Sequence, residues 1–190
     1  VERKIRDLQL AEKVEKIAEK DVELAERVVK SLEDREARIF GLIALYNLTY
    51  NPEYLKSAVE AAETDDDLLL IVERSKIPLP EIAEMISNPY RRDIAYCTIL
   101  EKTGDMNFSA KISDARLLSA SLKRLAVKKI YPENLRIARM IPEPYYRAVA
   151  LMELAEKENV DLREEIASAI AQVKNFIMRR RLEELLKKKY

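Results

Sequence analysis

The sequence predicts an all-α fold, a right-handed stack of about five to six short helix hairpins with no strand. Three observations carry this. Only two glycines, Gly41 and Gly104, occur in 190 residues, and β-branched alternation is absent, so a sheet lacks both its turns and its pleat. A helix-ending segment, two apolar residues and then Glu-Lys, recurs as Ile17-Ala18-Glu19-Lys20, Ile99-Leu100-Glu101-Lys102 and Leu154-Ala155-Glu156-Lys157. Looser copies stand at Ile71-Val72-Glu73-Arg74 and Leu125-Ala126-Val127-Lys128. With Leu45 in the remaining place, the lead residues fall at 17, 45, 71, 99, 125 and 154, a period near 28. So short a period with helical spacing inside it holds two short helices. Such a pair buries its apolar stripe only by stacking on its neighbours.

The elements follow in order. Helices are expected over 2–19, 22–32, 35–49, 52–62, 66–75, 79–87, 90–102, 107–112, 114–128, 132–141, 143–157 and 161–187, the last broken near Lys174-Asn175. Breaks are set by Asn51-Pro52, by Lys76-Ile77-Pro78-Leu79-Pro80, by Thr103-Gly104-Asp105 and by Tyr131-Pro132. The run Thr64-Asp65-Asp66-Asp67 directly precedes Leu68-Leu69-Leu70. It is read as the cap and acidic first turn of a helix. A calcium loop would need spaced oxygen ligands and a glycine.

Two copies 55 residues apart fix the internal logic of a pair. One reads Ala83, Ile86, Pro89, Arg92, Ala95, Ile99; the other reads Ala138, Ile141, Pro144, Arg147, Ala150, Leu154. A third, Val29, Leu32, Arg35, Arg38, Gly41, Leu45, keeps the intervals without the proline. The first two apolar residues lie one turn apart on a first helix. Proline suits the first turn of the second helix, where its missing N–H has no intrahelical partner. The small residue (Ala95, Ala150, Gly41) allows close approach of a neighbouring helix. Glycine there costs roughly 1 kcal/mol of helix propensity, which a tight contact explains. The shared register of Arg38, Arg92 and Arg147 predicts a ladder of internal hydrogen bonds.

Helix pairs with an acidic or proline corner followed by Arg-x-x-Ala-x-x-x-Leu resemble HEAT-type and tetratricopeptide-type repeats. The matching residues are Asp34, Arg38, Gly41 and Leu45; Pro89, Arg92, Ala95 and Ile99; Pro144, Arg147, Ala150 and Leu154. The resemblance spans 1–190 as a single helical-repeat domain (an α-solenoid), ending in a basic helix over 174–190. It implies an interaction scaffold whose partner lies along one face of the stack, and it implies no activity.

Composition narrows the function further. Histidine and tryptophan are absent and Cys97 is the only cysteine, which excludes an internal disulfide and a thiolate zinc cluster. Cys97 is expected in the core. The charged N-terminus and the lack of any apolar run near ~20 residues suggest a soluble cytoplasmic protein outside the membrane. Abundant Glu and Lys with little Gln lean thermophilic. No phosphate loop, nucleophile motif or metal-ligand spacing occurs, so no catalytic residue, metal or cofactor is expected.

The formal net charge of zero hides segregation. Residues 53–76 are net acidic, 111–139 carry eight basic and two acidic side chains, 140–173 are acidic again, and 174–190 are basic. Two sets of candidate site residues follow. Arg116, Lys123, Arg124, Lys128, Lys129, Arg136 and Arg139 are the candidates for an anionic-partner surface. Tyr90, Tyr145 and Tyr146, at proline corners, are the candidates for aromatic contacts. The expected function is a non-enzymatic scaffold for a protein or peptide partner. The alternative is a nucleic-acid-binding array using 111–139 and the C-terminal tail. A third reading, an enzyme or small-ligand protein, has no residue set behind it.

Overall fold

The computed structural model describes residues 1–190 and contains thirteen α-helices, one 3-10 helix and no strand. The chain divides into two compact units, 1–102 and 103–190. No helix is long and apolar enough to cross a membrane.

In the first unit the helices are α1 (Glu2–Ala11), α2 (Val14–Ala18), α3 (Val22–Ser31), α4 (Arg35–Thr49), α5 (Pro52–Ala61), α6 (Asp65–Arg74), α7 (Pro80–Met85) and α8 (Pro89–Thr103). Helix α4 is its centre, packing on α1, α2, α3, α5 and α6. It earns that place by being buried nearly all round, with Ala37, Ile39, Gly41, Ile43, Ala44, Leu45, Tyr46 and Asn47 inside. Its close approach to α3 and α2 depends on Gly41. A Cβ added there would sit 2.8 Å from Cγ2 of Val29 and 3.6 Å from Cγ2 of Val14.

One helix was expected over 2–19, yet the structure breaks it at Glu12 and Lys13. Both residues keep right-handed helical backbone angles, so the break is a kink. The buried residues Asp7, Ala11, Val14 and Ala18 fall at alternating intervals of four and three. That stripe stays on α4 through the bend. Neither proline nor glycine marks the kink, so the sequence carries no signal for it.

The proline corners stand as the sequence predicts. Pro52, Pro80 and Pro89 open α5, α7 and α8. Asp21, Asp34, Asn51 and Thr64 cap the N-termini of α3, α4, α5 and α6 through their side chains. The aspartate run is fully used inside the fold. Asp67 completes a capping box with Thr64, Asp65 accepts the N–H groups of Ser87 and Asn88, and Asp66 pairs with Arg91.

These last bonds belong to a wider device. Polar side chains on one helix reach the corner of the next pair. Asp7 accepts from the N–H groups of Glu33 and Asp34. Asn47 donates to the Arg74 carbonyl and accepts from Lys76 N–H. Lys102 Nζ donates to the carbonyls of Val72, Glu73 and Ser75 at the end of α6. A lysine suits that spot because the last helical carbonyls have no intrahelical partner and carry partial negative charge. Burial there lowers the Lys102 pKa, against the raising effect of Glu73. Cys97 is buried and forms no disulfide.

The second unit opens with a 3-10 helix, Met106–Lys111, where 107–112 was expected as an ordinary helix. Asp105 caps it through Asn107 N–H. Then come α9 (Ala115–Lys128), α10 (Glu133–Arg139), α11 (Pro144–Glu158), α12 (Arg163–Ala171) and α13 (Phe176–Lys189). Helix α11 packs on both α9 and α13, while α10 lies against α9 and α11, and α12 against α11 and α13. This gives two layers, α9–α11–α13 and α10–α12. The expected break near Lys174-Asn175 is real, and Asn175 caps α13 through Met178 N–H. Ser119 repeats the corner clamp by accepting from Glu143 N–H.

The arginine ladder is present in two of its three rungs. Arg38 donates from Nε and Nη2 to the Leu32 carbonyl, and Arg147 donates from Nη1 to the Ile141 carbonyl at 2.8 Å. Both acceptors sit just past the preceding helix, six residues back. Arg147 adds a bond to Gln172 Oε1. Arg92, half-buried, does not make the corresponding bond to Ile86.

Candidate interaction surface

The candidate surface lies on the α9–α11–α13 layer. On α9 a single stripe, Arg116, Ala120, Lys123, Arg124, Val127 and Lys128, recurs at helical intervals and faces outward between α9 and its neighbours. The opposite stripe, Ser119, Leu122, Leu125 and Ala126, is buried. Helix amphipathicity alone therefore sets the charged stripe on the surface.

Two grooves run along this layer. The first, of about 540 Å³, is lined by Ala120, Lys123, Arg124, Val127 and Lys128 from α9 and by Tyr146 and Glu153 from α11. Ala120 leaves the depression and Val127, 53% exposed, gives it an apolar wall. The second, of about 690 Å³, is lined by Arg116, by Glu143 to Tyr146 at the start of α11, and by Gln172 to Asn175 with Met178 before and on α13. Tyr146 lines both grooves and joins them. Tyr145 holds its ring edge-on, at 5.7 Å between centroids and 84° between planes.

Together the two grooves present five cations, Arg116, Lys123, Arg124, Lys128 and Lys174, and two carboxylates, Glu143 and Glu153. Lys123 pairs with Glu153 at 3.1 Å. Arg116, Lys128 and Lys174 form no ion pair within the protein. The cations without an ion pair thus stand at the two ends, and the middle holds Ala120, Val127 and Tyr146 beside Arg124 and the Lys123–Glu153 pair.

The rest of the predicted basic surface lies elsewhere. Lys129 leans over Gly104, where the missing side chain leaves room: a Cβ would lie 2.9 Å from the lysine Nζ. Arg136 and Arg139 are exposed on α10, in the other layer. Arg139 holds Glu165 of α12 through two bonds, 2.8 and 2.6 Å, which raise the arginine pKa and lower that of Glu165. The seven candidates therefore split, with four on the groove face. Tyr90 follows Pro89 at the start of α8 in the first unit and is 55% exposed, while Tyr145 and Tyr146 are half-buried in the grooves. In the tail, Arg179 stacks over Phe176, Arg180 pairs with Glu184, and Lys189 pairs with Glu156.

Sequence reasoning missed Lys174, Met178 and Val127 as groove residues. Their signal is weak because each sits at a helix end or on an otherwise polar face. Three other depressions are lined in part by polar side chains already bonded to one another: Glu156 with Lys189, Arg139 with Glu165, and, in the first unit, Glu26 with Tyr54. Set against protein-family models, curated proteins and solved structures, the chain matches none of them.

Proposed function

We propose that the protein is a non-enzymatic interaction scaffold whose second unit docks a peptide segment of a protein partner along the α9–α11–α13 layer. The observation that carries this reading is the pair of grooves joined at Tyr146, with apolar walls and cationic ends. A half-buried tyrosine with neighbouring valine, alanine and methionine offers rigid apolar contact area at low entropic cost, which favours a protein partner. We further propose that the helix pairs of each unit stack in the right-handed, HEAT-like or tetratricopeptide-like manner. The period near 28 and the alternation of layers support this. A cytoplasmic setting fits the lone cysteine.

Nucleic-acid binding draws less support. Arg136 and Arg139 lie in the other layer and Lys123 is paired, so the basic track is interrupted. The deciding experiment is a selection of random displayed peptides on the immobilised protein. Enriched peptides are expected to bind in solution and to lose about tenfold in affinity with Tyr146→Ala, a loss of about 1.4 kcal/mol. Absence of enrichment, or binding indifferent to that change, overturns the docking surface.

A further inference from the structure

We infer that the segment held by this groove is acidic on both sides of a single large apolar anchor. The inference rests on the docking reading above and names the partner's chemistry. It comes from the order of side chains along α9. Arg116 and Lys128 stand twelve residues apart on one helix, about 18 Å along its axis at roughly 1.5 Å per residue. Between them the groove is walled by Ala120, Val127 and Tyr146, with Arg124 and the Lys123–Glu153 ion pair beside them. Lys174, just before the neighbouring α13, shares the Arg116 end.

Each part of that order selects a ligand feature. The apolar middle removes water from a leucine, methionine or phenylalanine side chain, and the open shelf over Ala120 leaves room for one such group. The two ends carry cations without internal partners, so their charge is answered only from outside. An extended chain advances about 3.3 Å per residue, so about 18 Å corresponds to five or six residues. Carboxylates two or three residues before and after the anchor then reach Arg116 with Lys174 at one end and Lys128 at the other. At the centre Lys123 is paired with Glu153 and Arg124 has a partner within the protein, whereas Arg116 with Lys174 outnumber Glu143 at one end and Lys128 forms no ion pair at the other, which favours the flanking arrangement.

The test uses the full chain and a short fluorescein-labelled peptide with a central phenylalanine and glutamates on both sides, followed by fluorescence anisotropy. Three competitors are measured beside it: the same peptide with serine at the centre, the same peptide with glutamines for glutamates, and single-stranded oligouridylate. The expected result is at least about tenfold weaker binding of the serine and glutamine peptides. The double variant Arg116→Glu, Lys128→Glu is expected to lose the acidic peptide by a similar factor while binding the glutamine peptide unchanged. Circular dichroism melting confirms that it folds. Equal affinity for the glutamine peptide overturns this inference and leaves the docking surface standing. Failure of every peptide to respond to Tyr146→Ala overturns the docking surface itself. Oligouridylate binding tighter than the acidic peptide, and weakening steeply with salt, overturns the inference in favour of nucleic acid.

Discussion

The Asp7 carboxylate on α1 accepts the backbone N–H of Asp34 at 2.9 Å, across 27 residues of sequence. The same oxygen accepts the Glu33 N–H at 2.8 Å. These two N–H groups belong to the corner that starts α4, where a helix leaves its first amides without partners. Asp7 thus joins the beginning of the chain to the central helix of the first unit. The bond to Asp34 holds the Asp7 carboxyl below its ordinary pKa, helped by the Glu33 bond and by Arg6 and Arg3, against the opposing effect of burial.

A pH dependence follows. A carboxyl whose folded pKa is depressed contributes stability above its unfolded pKa of about 4, and that contribution is lost as pH falls through the folded value. Asp7→Asn should lower the melting temperature at neutral pH and flatten its fall on acidification below about pH 4. Thermal melts of both proteins across that range measure it. Parallel acid limbs would show that the Asp7 bonds do not carry the coupling.

The clamp of which Asp7 is one member explains what the sequence could and could not show. The all-helical fold, most of its helices and the proline corners were legible because apolar spacing and Pro52, Pro80, Pro89 and Pro144 act locally. Asp7, Asn47 and Ser119 were not singled out, and Lys102 was read only as the end of a recurring helix segment. A polar residue on a helix reads as solvent-facing until the neighbouring corner is in place. The arginine register was legible, but Arg92 shows that equal spacing does not guarantee an equal bond. At the candidate surface, the α9 stripe was readable from its amphipathic pattern. That Arg136 and Arg139 stand in the other layer was not, since the layer of a helix is set by tertiary packing.

The arginine rungs give a matched comparison. Arg147→Ala removes the donors to the Ile141 carbonyl and to Gln172. It should destabilise the protein by about 1–3 kcal/mol where the acceptor is left without a partner. Arg92→Ala removes no such bond and should stay within about 0.5 kcal/mol. Denaturant melts of the two variants check the difference, and equal losses would mean that the guanidinium stem, through packing, matters more than its hydrogen bonds.

Gly41 sets helix propensity against space. Gly41→Ala gains roughly 1 kcal/mol of propensity. The new methyl group would meet Val29 Cγ2 at 2.8 Å, with Leu32 Cδ1 at 3.5 Å. Valine is stiff about its first side-chain torsion and cannot swing aside, so α3 or α4 must shift. Overpacking of this kind costs about 1–3 kcal/mol, which outweighs the gain. The expected outcome in urea melts is a net loss of up to about 2 kcal/mol. A more stable variant would show that the two helices separate at little cost.

The ion pair of Lys123 with Glu153 offers the sharpest view of the groove, because breaking it should improve binding. Both side chains are partly exposed, at 29% and 51%, so the pair contributes little to stability, about 0–1 kcal/mol. Glu153→Gln leaves the shape of the groove nearly unchanged and removes one of its two carboxylates. Lys123 then faces outward without a partner. Two unit charges about 4 Å apart in water interact by about 1 kcal/mol, so an acidic peptide should bind up to about fivefold tighter. The gain should shrink as salt rises toward a screening length of about 8 Å. A peptide with glutamines in place of its glutamates should show no gain. Titrations of both peptides at two salt concentrations measure the effect. Weaker binding of the acidic peptide to Glu153→Gln would instead mean that Glu153 orients Lys123 toward the ligand, and that the ion pair is part of the recognition surface.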